Sequence, residues 1–551
     1  MSSPEDPKPD TVVVANHDTG MDPFLVAQAQ QAAAKEKAMP LKQAVPIFWR
    51  GMFWSGILSV ALVMEGFDVV QLGAFYAQPA FQKHFGEPTS SGSGYYIPAN
   101  WQSAIGNSGT AGTVLGLIFN AWAQYRYGSK WVYVGAMTLL IGALAFTPFA
   151  PSLTVILIGS IFIGFLNGIF QTLTTAYAAE LCPMVVRPYL TSWVNVCWTL
   201  GALLGSATQN ATLNFPGDSA WKTPLYLQWI WPGPLIVAAI FAPESPWHLT
   251  RTGQIDEAKK SISRLAYPGY YSEDDLTAQV ALMQHTLAIE ALEHKDQSFL
   301  NCFKGTNLRR TEIVAAVFAV QQWCGQPMTS LSTQLLTSVG LSVTNSFRIS
   351  LATYGMGLLG TLLMWGGIGR FGRRRIYLVG QAGMAIVLGV MGILGFFKTT
   401  AIVYTTSAML IFMNFIFQCT VGPACYTYVA ELPAAEVRSP TIVVARGAYI
   451  LSGLVTGQLT PRMLSTEEWD WGAKCGLFWM GTNILGLIYC YFRMPETRGR
   501  TFGELDILFS NHVPARKFAS TNVEEFEELN DPMGEKEKET GEVQHVEALA
   551  S

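Results

Sequence analysis

The stretch AELCPMVVR, residues 179 to 187, returns as AELPAAEVR at residues 430 to 438. In each copy a glutamate stands seven residues before an arginine, Glu180 before Arg187 and Glu431 before Arg438. Two further patterns repeat in the same order. RYGSK from Arg126 is echoed by RFGRR from Arg370, and PESP from Pro243 by PETR from Pro495. The offsets are 251, 244 and 252 residues, which marks an internal duplication. With about six helices per half, the two halves run in the same orientation, as in parallel membrane repeats.

The sequence around these signals suits a bilayer. Of the 551 residues, 50% are hydrophobic and only 13% are charged, with 51 glycines, a composition unlike that of a soluble enzyme. Stretches near the roughly 20 apolar residues that span a membrane recur about twelve times. The expected fold is an all-α membrane protein, with about twelve transmembrane helices in two six-helix halves. The expected organisation is a disordered N-terminal tail at 1–50, a six-helix bundle at 51–243, a linker with short helices at 244–310, a second bundle at 311–494 and a tail at 495–551. Within the linker, GQIDEAKKSISRLA has the apolar spacing of a short amphipathic helix. The acidic end of the C-terminal tail reads as disordered.

Lys35, Lys37, Lys42, Arg50, Arg126, Lys130, Arg370, Arg373, Arg374 and Arg375 gather at alternate helix ends, whereas the loop LTSVGLSVTNS carries no charge. The positive-inside rule then puts both termini in the cytoplasm. No cleavable signal pattern precedes the first apolar run, so targeting falls to the first membrane helix. The eight cysteines form no CxxC or Cys/His metal spacing and read as small buried hydrophobes, and no cofactor is expected. No nucleophile and base stand together, so an enzyme is not expected. A net charge of -4 is too small for a nucleic-acid partner. The sequon Asn210-Ala211-Thr212 reads as part of a short outward loop.

Against this apolar background, a few polar residues at membrane depth stand out. Glu65 and Asp68 are three apart in VMEGFDVVQ and share a helix face. A charge at the bilayer centre costs about 2.5 to 3.5 kcal/mol on insertion scales, so both should face a cavity or a partner. A carboxyl whose protonation changes with the side it is open to is what proton-coupled transport needs. Gln321 and Gln322 in VQQWCGQP are amides in an apolar helix, suited to binding a polar ligand or a neighbouring helix.

Several longer motifs carry a resemblance. PESPWHLTRTGQIDEA, PETRGRTFGELDILF, VPARKF and GIFQTLTTAYAAELCPMVVRPYLTSWVNVCW together resemble the sugar porters of the major facilitator superfamily, in particular the fungal maltose/α-glucoside permeases. The resemblance covers roughly Arg50 to Lys517. It implies a multi-pass plasma-membrane transporter that moves a sugar or sugar-like substrate by alternating access, with protons as the coupling partner and the lipid bilayer as its surroundings. It also implies site residues. Gln321 and Gln322 resemble the family's QQxxG sugar pair, with Gly325 in register. Asn195 occupies the place of another sugar-binding amide, and Tyr426 in GPACY stands where many sugar porters carry Trp. Asp68 matches a first-helix acid and Glu65 an additional acid of the α-glucoside branch. Arg126, Glu180, Arg187, Glu244, Arg370, Arg373, Arg374, Glu431, Arg438 and Glu496 correspond to a cytoplasmic charge latch for the outward-open form. The chain departs from the pattern at Ala121, at Tyr125, where an acid is usual, at Pro327, where an Asn ligand is common, and at Ser160, where proton-coupled relatives place Arg, Glu or Gln. Facilitated diffusion or export of another small polar metabolite, and a non-transporting nutrient sensor, are the alternatives.

Overall fold

The computed structural model describes residues 23–521, apart from 91, 93, 184–185, 297–298, 368–371, 398, 435–436, 499–504 and 506–507. The first half runs through Leu41–Phe75, Ala99–Tyr127, Ser129–Ala143, Leu153–Leu181, Arg187–Thr212 and Ser219–Phe241. The second runs through Gly305–Trp323, extended by Gln326–Ser330 and Ser332–Ser338, then Val343–Gly367, Arg373–Leu394, Thr400–Cys419 with Val421–Glu431, Arg438–Leu464 and Cys475–Arg493. These are counted below as helices one to twelve. Eight of the spans are long and apolar enough to cross a bilayer on length and hydropathy alone. Among the described residues helices two, three, five and seven fall short: helix three is only 15 residues long, helix seven carries Arg309, Arg310 and Glu312, and helices two and five are rich in Asn, Gln, Ser and Thr. Helices two, five and seven meet the opposite half. Helix five packs on helix eight, helix two on helix eleven, and the end of helix seven on helix one. Polar side chains are tolerated there because they face protein, not lipid.

Each half has its own core, and the two cores repeat in detail. The Tyr133 hydroxyl of helix three donates to the Leu58 carbonyl of helix one at 3.1 Å, and Tyr377 of helix nine donates to the Val317 carbonyl of helix seven at 2.8 Å. Likewise Tyr177 donates to the Pro243 carbonyl at 2.6 Å and Tyr428 to the Pro495 carbonyl at 3.2 Å. All four tyrosines are buried, so these bonds satisfy hydroxyls that would otherwise be costly in an apolar interior. The duplication thus extends to residues outside the charged motifs.

The repeated glutamates act as helix caps. Glu244 Oε1 accepts from the backbone N–H groups of Ser129, Lys130 and Ser245, at 3.1, 3.3 and 2.9 Å. Glu496 Oε1 accepts from the backbone N–H of Arg373 at 2.8 Å. A carboxylate thus sits on the N-terminus of helix three and of helix nine, where the helix dipole favours negative charge. Glycine makes room for it: a Cβ at Gly128 would meet Glu244 and one at Gly372 would meet Glu496.

Three expected boundaries differ. The tail at 1–50 contains a helix, Pro23–Ala38, and helix one begins at Leu41. Ala, Gln and Lys favour helix, and this segment lies against the linker helix Glu273–Asp296, with Lys35 paired to Asp275 at 2.8 Å. Helix seven begins at Gly305, six residues inside the expected linker. The C-terminal segment expected as a tail is anchored as far as Phe518 by the buried Leu505, Leu508, Phe509 and Phe518, with the Arg310 guanidinium 4.5 Å from the centre of the Phe509 ring. Residues 522–551 lie outside the described residues. The sequon is also displaced: Asn210 belongs to the last turn of helix five, because the apolar and small residues before it continue the helix to Thr212. The amphipathic linker helix forms at Ile255–Leu265 and buries Ala258 and Ile262 against Leu276, Val280 and Met283.

Candidate functional site

Glu65 and Asp68 both lie in the second part of helix one, and the structure gives them different partners. Glu65 is 4% exposed. Its Oε1 accepts from Gln171 Nε2 of helix four at 2.6 Å, and Gln171 Oε1 accepts from the Arg446 guanidinium of helix eleven at 2.8 Å. Asp68 Oδ1 accepts from Gln228 Nε2 of helix six at 3.2 Å, and the Asn167 amide of helix four lies within reach of the same carboxylate. One turn further on, Gln71 is hydrogen-bonded to Gln209 of helix five, both fully buried. The first half therefore surrounds its acids with amides, which stabilise a carboxylate while adding no charge.

Arg446 is the cation that faces this cluster. Its guanidinium lies 5.2 Å from the centre of the Tyr449 ring and within hydrogen-bonding reach of the Tyr426 hydroxyl. Tyr426 is 50% exposed and meets Phe318 edge-on at 5.6 Å. Gln322 is partly buried within reach of the Tyr449 hydroxyl. Gln322, Tyr426, Arg446 and Tyr449 thus form one polar and aromatic patch on helices seven, ten and eleven. Aromatic faces beside amides suit the two faces of a sugar ring. Gln321 points elsewhere: it is buried, and its Nε2 has no hydrogen-bond partner among the described residues. Just past the pair, helix seven breaks at Gly325, whose φ of +91° favours glycine, and restarts at Gln326 with Pro327 in its first turn. Asn195 is partly buried on helix five, and no hydrogen bond ties it to either glutamine.

Helix four departs from the sequence expectation. Ser160 is not the residue that faces the acids; its carbonyl lies beside Gly109 of helix two. Asn167 and Gln171, two and three turns on, take that place. Their polar side chains in an otherwise apolar helix were the available sign. Arg446 was missed too, although a lone arginine within a membrane helix is a functional signal by itself.

Among the charged motifs, Arg373 pairs with Glu431 at 2.9 Å, and the Thr497 hydroxyl donates to the other oxygen of Glu431 at 2.6 Å. Arg374 donates to the carbonyls of Met494 and Tyr491, both at 2.8 Å. These bonds lie within the second half. In the first half Arg126 is exposed, and Tyr125, which stands where the family usually has an acid, lies under the Arg251 guanidinium at 5.2 Å, a cation–π contact. Glu180 is partly buried at the end of helix four. Arg370 and the side chains of Arg187 and Arg438 lie outside the described residues. Burial raises the Glu244 carboxyl above its ordinary range, against the backbone N–H groups that stabilise its charge.

The described side chains that hydrogen-bond between halves lie at Arg446 and beyond it, away from the termini. They are Gln171 with Arg446, Asn107 with the Leu454 carbonyl at 3.2 Å, Asn100 with Arg462 at 2.7 Å and Ser90 with Glu467 at 2.6 Å. The halves are thus joined at the end remote from the termini.

Comparison with known proteins matches this architecture. The sequence profile of the sugar (and other) transporters matches residues 54–509. The chain belongs to the sugar transporter family. This transporter is 38% identical over 503 residues to the general α-glucoside permease of Saccharomyces cerevisiae, covering 90% of this chain and 81% of the relative. It is 35% identical over 502 residues to a maltose permease of the same yeast, covering 90% and 82%. The partially occluded, inward-open xylose transporter from E. coli superposes with a TM-score of 0.66 at 17% identity, over 82% of this chain and 99% of that one. The transporter therefore has the twelve-helix major facilitator fold expected from its duplication. It is a multi-pass membrane transporter and not an enzyme.

Proposed function

We propose that this transporter carries α-glucosides such as maltose inward across the plasma membrane, by alternating access and in symport with protons. The observation that carries the reading is the buried acid pair: Glu65 and Asp68 face amides and, through Gln171, the Arg446 guanidinium of the other half. Acids at this depth are retained for a reason, because lipid exposure would be costly. Identity to the yeast α-glucoside and maltose permeases supports the substrate class. In this reading Gln322 and Tyr426 on helices seven and ten, with Arg446 and Tyr449 beside them, form the sugar site, and Asn195 on helix five and the buried Gln321 join it only when their side chains turn toward the bound sugar.

Both termini are cytoplasmic in this reading, as the distribution of Lys and Arg favours. The end joined by Asn100, Asn107, Arg462 and Glu467 is then the outer gate, closed here. The charged motifs around Glu180, Arg187, Glu244, Glu431, Arg438 and Glu496, with Arg126, Arg370, Arg373 and Arg374, hold the cytoplasmic ends together when the outer gate opens.

Uptake of labelled maltose by permease-null cells, with external pH stepped and a protonophore added, tests both parts. Uptake that falls with rising pH and with protonophore is expected. Absence of uptake at every pH would refute the substrate, and uptake indifferent to both treatments would leave transport without coupling.

A further inference from the structure

Gln171 is the one described side chain that touches both an intramembrane acid of the first half and an intramembrane cation of the second. Its orientation follows from chemistry. The amide offers Nε2–H donors at one end and an acceptor oxygen at the other. With Nε2 toward the Glu65 carboxylate at 2.6 Å and Oε1 toward the Arg446 guanidinium at 2.8 Å, both ends are satisfied by charged partners. Flipping the amide would set oxygen against oxygen and donor against donor.

We infer that Gln171 is a positioning residue that relays the protonation of Glu65 to the contact between the two halves. The inference rests on the proton-symport reading above. The charged groups that act on Glu65 are Arg446, from helix eleven, and Asp68, on its own helix; helices four and five add Gln171 and Trp198, both uncharged. When Glu65 takes a proton, an O–H bond forms on its carboxyl and its negative charge is lost. A neutral carboxyl that carries an O–H donor no longer requires the amide N–H toward it, so Gln171 can turn over and present to the new O–H its Oε1, which Arg446 now uses. Protonation therefore competes directly with the Gln171–Arg446 bond that crosses between helices four and eleven. Arg446 keeps a second cradle when released, since Tyr449 and Tyr426 lie in its own half. Two arrangements of one guanidinium, one bridging the halves and one confined to the second half, make a two-state element that proton binding can bias. A direct Glu–Arg pair would tie the same charges together more rigidly; the interposed amide lets either partner leave.

The test uses the full-length protein reconstituted in liposomes, comparing proton-driven accumulation of maltose with maltose counterflow exchange across a series of external pH values. Wild-type protein that exchanges maltose but ignores pH would overturn the symport reading itself. If wild type is proton-driven, Gln171→Leu should keep exchange and lose about tenfold in accumulation, the scale of an ordinary coupling between sites. Gln171→Glu, of nearly the same size, gives Arg446 a full counter-charge and sets a second acid against Glu65; its pH profile of uptake should be displaced from that of wild type. Accumulation by Gln171→Leu equal to wild type, or an unchanged profile in Gln171→Glu, would overturn the inference. Loss of exchange in both variants would overturn it as well, because Gln171 would then serve the fold or the sugar site.

Discussion

Tyr177 donates its hydroxyl to the carbonyl of Pro243 at 2.6 Å, tying the end of helix four to the exit of helix six. Tyr428 and Pro495 repeat the tie in the second half at 3.2 Å. Tyr177→Phe removes the donor and leaves a buried carbonyl unsatisfied, at about 1 to 2 kcal/mol. Thermal unfolding in detergent should show a lower midpoint for this variant, with a similar loss for Tyr428→Phe. Unchanged midpoints in both would mean that water replaces the hydroxyls.

Gly128 has a φ of +82°, and a Cβ there would meet the Glu244 carboxylate and the His248 ring. Gly128→Ala therefore adds backbone strain of about 1 to 3 kcal/mol to the displacement of the cap. Reduced yield of folded protein and a lower melting midpoint are expected. Gly135→Ala, where a Cβ meets nothing, is the control and should melt like wild type.

Glu244 makes stability depend on pH in a defined sense. Its carboxyl is raised in the folded protein by burial, so its contribution is fully present below the ordinary glutamate range and is lost as pH rises through the raised value. Glu244→Gln cannot titrate. Any melting deficit of the variant relative to wild type should therefore be largest at acid pH, where Glu244 is protonated, and should narrow toward neutral pH. A gap that widens over that range would contradict the assigned burial effect.

Asp68→Asn keeps the size of the side chain and an acceptor for Gln228 while removing the titration. Counterflow exchange should persist and accumulation against a gradient should be abolished, read as the steady-state ratio of internal to external maltose. Undiminished accumulation would remove Asp68 from the coupling.

Much of the architecture was legible along the chain because it is written in spacing. Two copies of AEL followed by an arginine, two of the RxG pattern and two of PE locate the halves without any coordinates. Apolar runs of spanning length are a local property, and a bilayer needs helices to satisfy the backbone within each span. Glu65 and Asp68 stood out for the same reason, as acids where apolar residues were required. Partners were not legible, because they come from helices far apart in sequence. Gln171 lies 106 residues from Glu65 and 275 from Arg446, and no local pattern pairs them. Ser160, Asn167 and Gln171 share one face of helix four, so choosing Asn167 and Gln171 over Ser160 depended on which turns of that helix lie level with Glu65 and Asp68, a matter of how helices one and four are offset along their axes. The N-terminal helix packs on the linker helix, a partner that lies 240 residues away at the Lys35–Asp275 pair and that no local pattern identifies. Sequence by itself determined a duplicated, twelve-helix membrane protein with acids in its first helix; tertiary structure decided that an amide stands between acid and arginine, because only packing brings helices one, four and eleven to one place.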